Sequence, residues 1–238
     1  AFLGSWSFLA GLIAGGAVIA IIGALMEVGL LRRKFGHELE IILLTIGVMY
    51  IIHNLAAVQW GRISYDSMAV VPGFLTGSVR IGSYSIQKYW LFVIGLGFAI
   101  AGSIKLMLER TDLGLIVRAG IDDADMAEAM GANIERTFTI VFAIGCALAG
   151  LGGVAAFGYQ GGSIEIGLNF LFFAFAIVVI GGLGSFEGSF YATVLAGLTN
   201  QFFAYYYPYL ADASLFILMA LVLLLRPQGI GGSKLESK

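Results

Sequence analysis

Apolar residues fall along this 238-residue chain in long blocks broken by short polar stretches, the pattern of helices that cross a bilayer rather than of elements covering a soluble core. A hydrocarbon layer about 30 Å thick takes about 20 helical residues. Runs near that length predict seven spans, at 4–30, 41–60, 89–108, 138–158, 169–184, 190–207 and 209–225. The fifth is short and ends in Gly181-Gly182-Leu183-Gly184-Ser185, and only Pro208 separates the last two. Boundaries there are the softest, because glycine and proline interrupt helices. The expected fold is all-α, one polytopic transmembrane helical bundle over residues 1–238. Two connections are long enough to carry structure of their own, 61–88 and 109–136.

Composition strengthens this picture. Hydrophobic types make up 59% of the chain and charged ones 12%, against roughly 45–50% and about 25% in soluble domains. Thirty-four glycines suit closely packed membrane helices, where small residues let backbones approach. A net charge of −2 offers no positive field for a phosphate backbone, so nucleic-acid binding has nothing to start from. The single Cys146 excludes an internal disulfide and any multi-cysteine metal site. The chain starts at Ala1 with no basic segment ahead of its apolar run, so residues 1–26 read as a span rather than a signal peptide, with the N-terminus expected to be cut or left out.

Orientation follows from the basic residues, which concentrate in cytoplasmic loops. If the first helix runs outside to inside and all seven segments cross, Arg32, Arg33, Lys34, Lys105, Arg110, Arg118, Arg136, Arg226, Lys234 and Lys238 lie inside, and Arg62, Arg80 and Lys88 outside. Ten against three is a clear bias; a re-entrant fifth segment would reduce it to seven against six. The aromatic belt agrees, since Trp6, Trp60, Tyr89, Trp90, Tyr159, Tyr205, Tyr206, Tyr207 and Tyr209 all fall at ends assigned to the outer face.

In the outer connection, Ser78-Val79-Arg80-Ile81-Gly82 alternates in a way that suits a short extended segment, with a plain solvated loop as the alternative. The inner connection predicts a helix of about nine residues with both ends marked. Asp122 or Asp123 can accept hydrogen bonds from its first free amides, and Gly131 can take the left-handed conformation that closes it. So short a helix is unstable alone and has to rest on something. Met126 and Met130 lie four residues apart beside Ala127, while Asp122, Asp125 and Glu128 mark other faces. A small Met-bearing helix suits a groove in another protein; the alternative is a capped surface helix that merely joins two spans.

At this connection the sequence resembles the inner-membrane permeases of ATP-binding-cassette importers for branched-chain amino acids, the first of the two permeases. The matching blocks are Thr111 through Leu113-Gly114, Arg118-Ala119, Ala127 and Met130-Gly131-Ala132-Asn133; then Ala143 through Gly153; then Val179 through Gly188; then Leu224-Leu225-Arg226-Pro227-Gln228-Gly229. Leu44-Thr45-Ile46-Gly47 and Asn54-Leu55 also fit, and Glu27 with Arg32-Arg33 loosely resembles the family's Glu-Arg cluster. The family has further N-terminal helices with a polar Asn-Phe-Ala-His-Gly type segment, which nothing here matches, so the chain reads as a fragment or a shortened permease. The resemblance implies an assembly of two permeases, two cytoplasmic ATPases and a periplasmic solute-binding protein in the bacterial inner membrane. It makes residues 121–133, with Arg118, the coupling element seated on an ATPase. The permease itself needs no cofactor, and no Gly-rich phosphate loop is present.

Polar groups at membrane depth are candidates for a solute path, because they are costly unless paired or wet. His53, Asn54 and Gln59 on the second span are such groups, with hydrogen bonding to neighbouring helices as the alternative. Gly181, Gly182, Gly184 and Ser185 break a helix, which can expose backbone groups to a solute or simply form a tight turn. Glu187 reads as a surface or helix-start carboxylate. Three small-residue stripes, Ser7/Gly11/Gly15, Gly95/Ala99/Ser103 and Gly145/Ala149/Gly153, predict packing seams. Cys146 should pack as a small apolar group. Enzyme chemistry finds no footing: the histidines are His37 and His53, with no His-Glu-x-x-His pair, no serine nucleophile motif and no metal site in view. The competing class is an ion-coupled secondary transporter or channel, which would want carboxylates or a charge pair at mid-membrane.

Overall fold

Each of the seven apolar runs is helical over most of its length in the computed structural model, which describes residues 2–32, 38–61, 64, 71–81, 84–182 and 184–231. Of the positions named above, Arg33, Lys34, His37, Arg62, Gly82, Leu183, Lys234 and Lys238 lie outside the described residues, as do the side chains of Trp6, Ser7, Ile81 and Asp122. In order the elements are α1 Phe2–Met26, a π-helical turn Glu27–Leu31, α2 Glu38–Trp60, strands β1 Ser78–Ile81 and β2 Tyr84–Gln87, and α3 Lys88–Arg110. There follow α4 Asp112–Asp122, α5 Ala124–Ala129, α6 Ile134–Gln160, α7 Ile166–Gly181, α8 Phe186–Tyr206, a 3₁₀ turn Pro208–Leu210, and α9 Ala211–Leu225. Among the described residues five stretches are long and apolar enough to cross a membrane: Phe8–Leu31, Leu39–Trp60, Lys88–Arg110, Ile134–Gln160 and Pro208–Leu225. The helix Ile166–Gly181 is apolar but shorter.

The run beginning at Ser78 is a strand of an antiparallel hairpin, not a plain loop, with Val79 opposite Ile86 and Arg80 opposite Ser85. Its second strand leads straight into α3, and the Lys88 amide donates to the Gly77 carbonyl at 2.9 Å.

Two compact units divide the chain, Ala1–Ile164 and Glu165–Lys238. In the first, α1 and α6 run antiparallel along a seam, the glycines of α1 letting the side chains of α6 come close. Gly15 faces Val154, Gly16 faces Leu151 and Ala147, and Gly23 is pressed against the Cys146 side chain. A Cβ on Gly150 would lie 2.8 Å from the Gly15 carbonyl oxygen. The seam is therefore offset from the predicted stripes: of their glycines only Gly15 sits in it, while Gly11, Gly95, Gly145 and Gly153 have nothing close to where a Cβ would stand. Regular four-residue spacing identifies a smooth face but not which face meets a neighbour.

Near the far end of that seam Phe8, Leu12, Leu75, Tyr89 and Ala155 form a buried cluster. The Tyr89 hydroxyl donates to the Ala155 carbonyl at 2.7 Å, across from Gly158, whose missing side chain makes room for the ring. Trp90 and Tyr159 stack nearby, ring centres 4.9 Å apart. The start of α3 and the end of α6 thus lie together at one end of this unit, and the connector between them at the other. None of the described side chains of α2 is buried.

In the second unit Ala176, Ile180, Ala192, Ala196, Leu215 and Val222 pack α7, α8 and α9 together. Asn200 on α8 donates to the Ala211 carbonyl at 2.9 Å, and buried Ser214 donates to the same oxygen at 2.6 Å. Polar groups that would be costly in an apolar surround are thereby paired across two helices. Tyr207 leaves the helical region and Pro208 opens the 3₁₀ turn, which is where the sequence separated its last two spans.

Candidate functional site

The connector from α3 to α6 contains two helices where the sequence predicted one. Thr111 ends α3 and caps α4: its hydroxyl donates to the Met107 carbonyl at 2.6 Å and accepts from the Gly114 amide at 3.4 Å. Gly114 is pressed so closely on the Leu108 backbone that no side chain fits there. Arg118 closes the corner, donating from Nη2 to the Leu108 carbonyl at 3.2 Å and from Nε to the Gly114 carbonyl at 3.3 Å. Its guanidinium therefore pins α4 to the end of α3. The overlooked signal for α4 was Leu113, Ile116, Val117 and Gly120 at helical spacing just after a capping threonine. Those residues turn inward while Leu115 and Ile121 stay exposed, and an apolar groove of about 160 Å³ runs between α4 and α6 past Val117, Ile134 and Val141.

The second helix, α5, has the two predicted end signals but six residues rather than nine. Asp123, not Asp122, is its N-cap by backbone position, and its Oδ1 accepts from the Met126 amide at 2.9 Å. At the other end Gly131 takes φ +91°. Its amide donates to the Glu128 carbonyl at 2.8 Å and that of Ala132 to the Ala127 carbonyl at 3.0 Å, a Schellman closure that satisfies the last free carbonyls. Asn133 then caps α6 through the Arg136 amide at 2.9 Å. Both ends of this six-residue helix are thus closed within the chain.

Ala127 is buried and seats α5 on its own chain, whereas Met126 and Met130 point outward at 62% and 83% exposure. The predicted grouping of these three is thus split, with alanine inward and both methionines outward. Asp125 is exposed in the first turn. The result is a rigid knob carrying two flexible apolar side chains into solvent beside acidic residues.

The candidate path residues are not brought together. On α2 the Asn54 amide group donates to the Tyr50 carbonyl one turn earlier at 2.8 Å, His53 is half-buried, and Gln59 is exposed. Five residues of α-helix separate Asn54 from Gln59 by about 140°, so the two face different directions. Tyr50, Asn54 and Val58 line a shallow open hollow on the helix surface.

Gly181, Gly182, Gly184 and Ser185 form the turn from α7 to α8. Gly182 and Gly184 have φ +95° and +86°, backbone that favours glycine. Ser185 caps α8, accepting from the Gly188 amide at 3.0 Å. The C-terminal segment lies against this turn: the Ile230 amide donates to the Ile180 carbonyl at 2.9 Å and the Gly231 amide to the Gly181 carbonyl at 2.8 Å. The Ile180 and Gly181 carbonyls at the broken helix end thus accept hydrogen bonds from the chain itself.

One further group has a place that the sequence did not show. Glu27, read there only as loosely resembling a Glu-Arg cluster, is buried, at 5% exposure, where the Thr139 hydroxyl of α6 donates to its Oε2 at 2.5 Å. Loss of fit to the 3.6-residue period at a π-turn hides such a contact. Among the described residues no group of three His, Cys, Asp or Glu is arranged to hold a metal ion.

Comparison with known proteins gives the chain a family. Residues 2–225 match the family model described as branched-chain amino acid transport system / permease component. The chain is 29% identical over 201 residues to the high-affinity branched-chain amino acid transport system permease protein BraD of Pseudomonas aeruginosa, covering 83% of this chain and 65% of the relative. It is 28% identical over 191 residues to the corresponding LivH protein of Salmonella typhimurium, covering 79% and 62%. With LivH of Escherichia coli K12 it is 29% identical over 170 residues, covering 68% and 55%. The chain thus spans somewhat less than two thirds of the length of these curated relatives. No solved structure matches it. A multi-pass helical membrane protein by its apolar helices and matched over nearly its whole length, the chain belongs to the family of branched-chain amino acid transport permease components.

Proposed function

We propose that this chain works as one permease domain of an ATP-binding-cassette importer in the bacterial inner membrane, passing branched-chain amino acids or a similar small solute into the cytoplasm. It does so without enzymatic chemistry of its own, alongside a second permease subunit, cytoplasmic ATPases and a periplasmic solute-binding protein. All seven apolar helices cross in this reading. The 16 residues of α7 span about 24 Å at 1.5 Å per residue, short of the usual thickness, and α8 brings its 21 residues across beside it.

The observation that carries the proposal is the α5 knob. Its ends are closed internally, its Ala127 holds it to the chain, and its methionines are free to enter a groove on an ATPase. Asp125 and Glu128 give that contact an acidic rim, so a groove with an apolar floor and basic edges would complement it. The path is assigned to His53, Asn54 and Gln59 on α2, a helix whose described side chains are all at least partly open to a second subunit, lipid or solute.

The test is uptake of labelled leucine by right-side-out membrane vesicles loaded with ATP and containing the whole assembly. Uptake is expected to require ATP and the ATPase subunits and to survive collapse of ion gradients by an ionophore. Uptake that persists without the ATPases and vanishes with the ionophore would instead identify an ion-coupled secondary transporter.

A further inference from the structure

We propose that Glu27 and Thr139 form a clasp through which the start of α6 moves the end of α1, so that displacement of the connector reaches the membrane-spanning helices. The inference rests on the coupling reading above and names the positioning residues that would transmit the motion.

The geometry begins with the π-turn. The Arg32 amide donates to the Glu27 carbonyl, closing a turn one residue wider than that of an α-helix. In an α-helix residues five apart point about 140° apart. The wider turn brings Glu27 and Arg32 towards one side. Their partners on α6, Thr139 and Glu135, are four residues apart, one ordinary turn. Glu27 accepts from Thr139, and Arg32 Nη2 lies 3.3 Å from Glu135 Oε2. A five-residue step on one helix thus matches a four-residue step on its antiparallel neighbour.

The two contacts differ in weight. The Arg32–Glu135 pair is substantially exposed, at 34% and 65% for the two side chains, and such pairs contribute little. Glu27 is buried, and a carboxyl group withdrawn from water persists only where its hydrogen bond is kept. Beyond it the α1–α6 seam is close-packed, with Gly15, Gly16 and Gly23 set against Val154, Leu151 and Cys146, so that the two helices lie in direct contact along their length. A buried polar contact at one end of a close-packed seam, about one and a half turns into the helix that α5 leads into, is placed to make the two helices move together.

The experiment reconstitutes the whole assembly in proteoliposomes and measures leucine uptake and ATP hydrolysis together. Glu27→Ala and Thr139→Val are each expected to lower uptake about tenfold, with hydrolysis kept within about twofold, since loss of a buried hydrogen bond is of that order. Glu27→Gln and Thr139→Ser, which keep an acceptor and a hydroxyl, should retain uptake within about threefold. Uptake and hydrolysis falling in parallel with the amount of folded protein would reduce the clasp to a structural contact and overturn the proposal. Unchanged uptake in Glu27→Ala would do the same, as would a loss in Glu27→Gln equal to that in Glu27→Ala. Met130→Glu serves as the separate arm: if it leaves uptake intact, the coupling reading itself fails, whatever the clasp variants show.

Discussion

Replacing Met126 and Met130 together by Glu is expected to abolish ATP-driven leucine uptake while the protein remains folded and at its normal amount in the membrane. Both side chains are exposed, so neither change disturbs the interior of the chain. The caps of α5 at Asp123 and Gly131 are untouched, so the helix persists. What changes is the surface offered to an ATPase: two carboxylates replace two adaptable apolar groups. Desolvating charge in an apolar groove costs several kcal/mol; with about 4 kcal/mol lost in all, docking weakens about a thousandfold. The same experiment at Ala127 has a different meaning. That residue is buried within its own chain, so Ala127→Glu would unseat α5 and remove folded connector as well as docking. The methionines, and not the alanine, isolate the contact with the partner.

A second large effect is expected at the turn between α7 and α8. A Cβ on Gly181 would lie 2.5 Å from both Cα and N of Ser189, and one on Gly188 would run into the Gly181 carbonyl oxygen. These neighbours are backbone, so neither can rotate aside. Gly181→Val or Gly188→Val must therefore push the two helices apart and release the Ile230 and Gly231 amides from the Ile180 and Gly181 carbonyls. Overpacking together with lost backbone hydrogen bonds should cost about 3 kcal/mol or more, and the amount of protein recovered from the membrane should fall about tenfold. Gly152→Ala is the contrast, since nothing lies within 4 Å of where its Cβ would stand; replacing a helical glycine by alanine there should leave the amount unchanged or slightly raised. Equal losses in all three variants, measured by immunoblot of purified membranes, would show that the turn has no special packing requirement.

The helices and caps were legible in the sequence because they are local. Apolar runs of span length reveal themselves in a window, and Asp123 and Gly131 announce the ends of α5 by residue type alone. Helix α4 was equally local, and was obscured by the acidic and methionine residues that follow it. The remaining features depend on pairs far apart in the chain. The Gly181–Gly188 run and the segment ending at Gly229 were noticed separately, but nothing in either says that residues 230 and 231 hydrogen-bond to the end of α7. The true α1–α6 seam needs Gly15, Gly16 and Gly23 to be matched with Cys146, Gly150 and Val154, a choice that four-residue spacing leaves open. Glu27 was hardest to read: a carboxylate next to Arg32-Arg33 looks like a solvated helix end, and only the π-turn and Thr139 bury it.

Everything rests on α5 facing the cell interior and meeting an ATPase there. The most direct measurement is thiol labelling of a Met130→Cys variant in a Cys146→Ala background, using a membrane-impermeant maleimide on intact cells and on inside-out vesicles, with and without the assembled ATPases. The account predicts no labelling in intact cells, full labelling in inside-out vesicles stripped of the ATPases, and protection when they are bound. Labelling from outside the cell, or labelling from the inside that the ATPases leave unchanged, would contradict it.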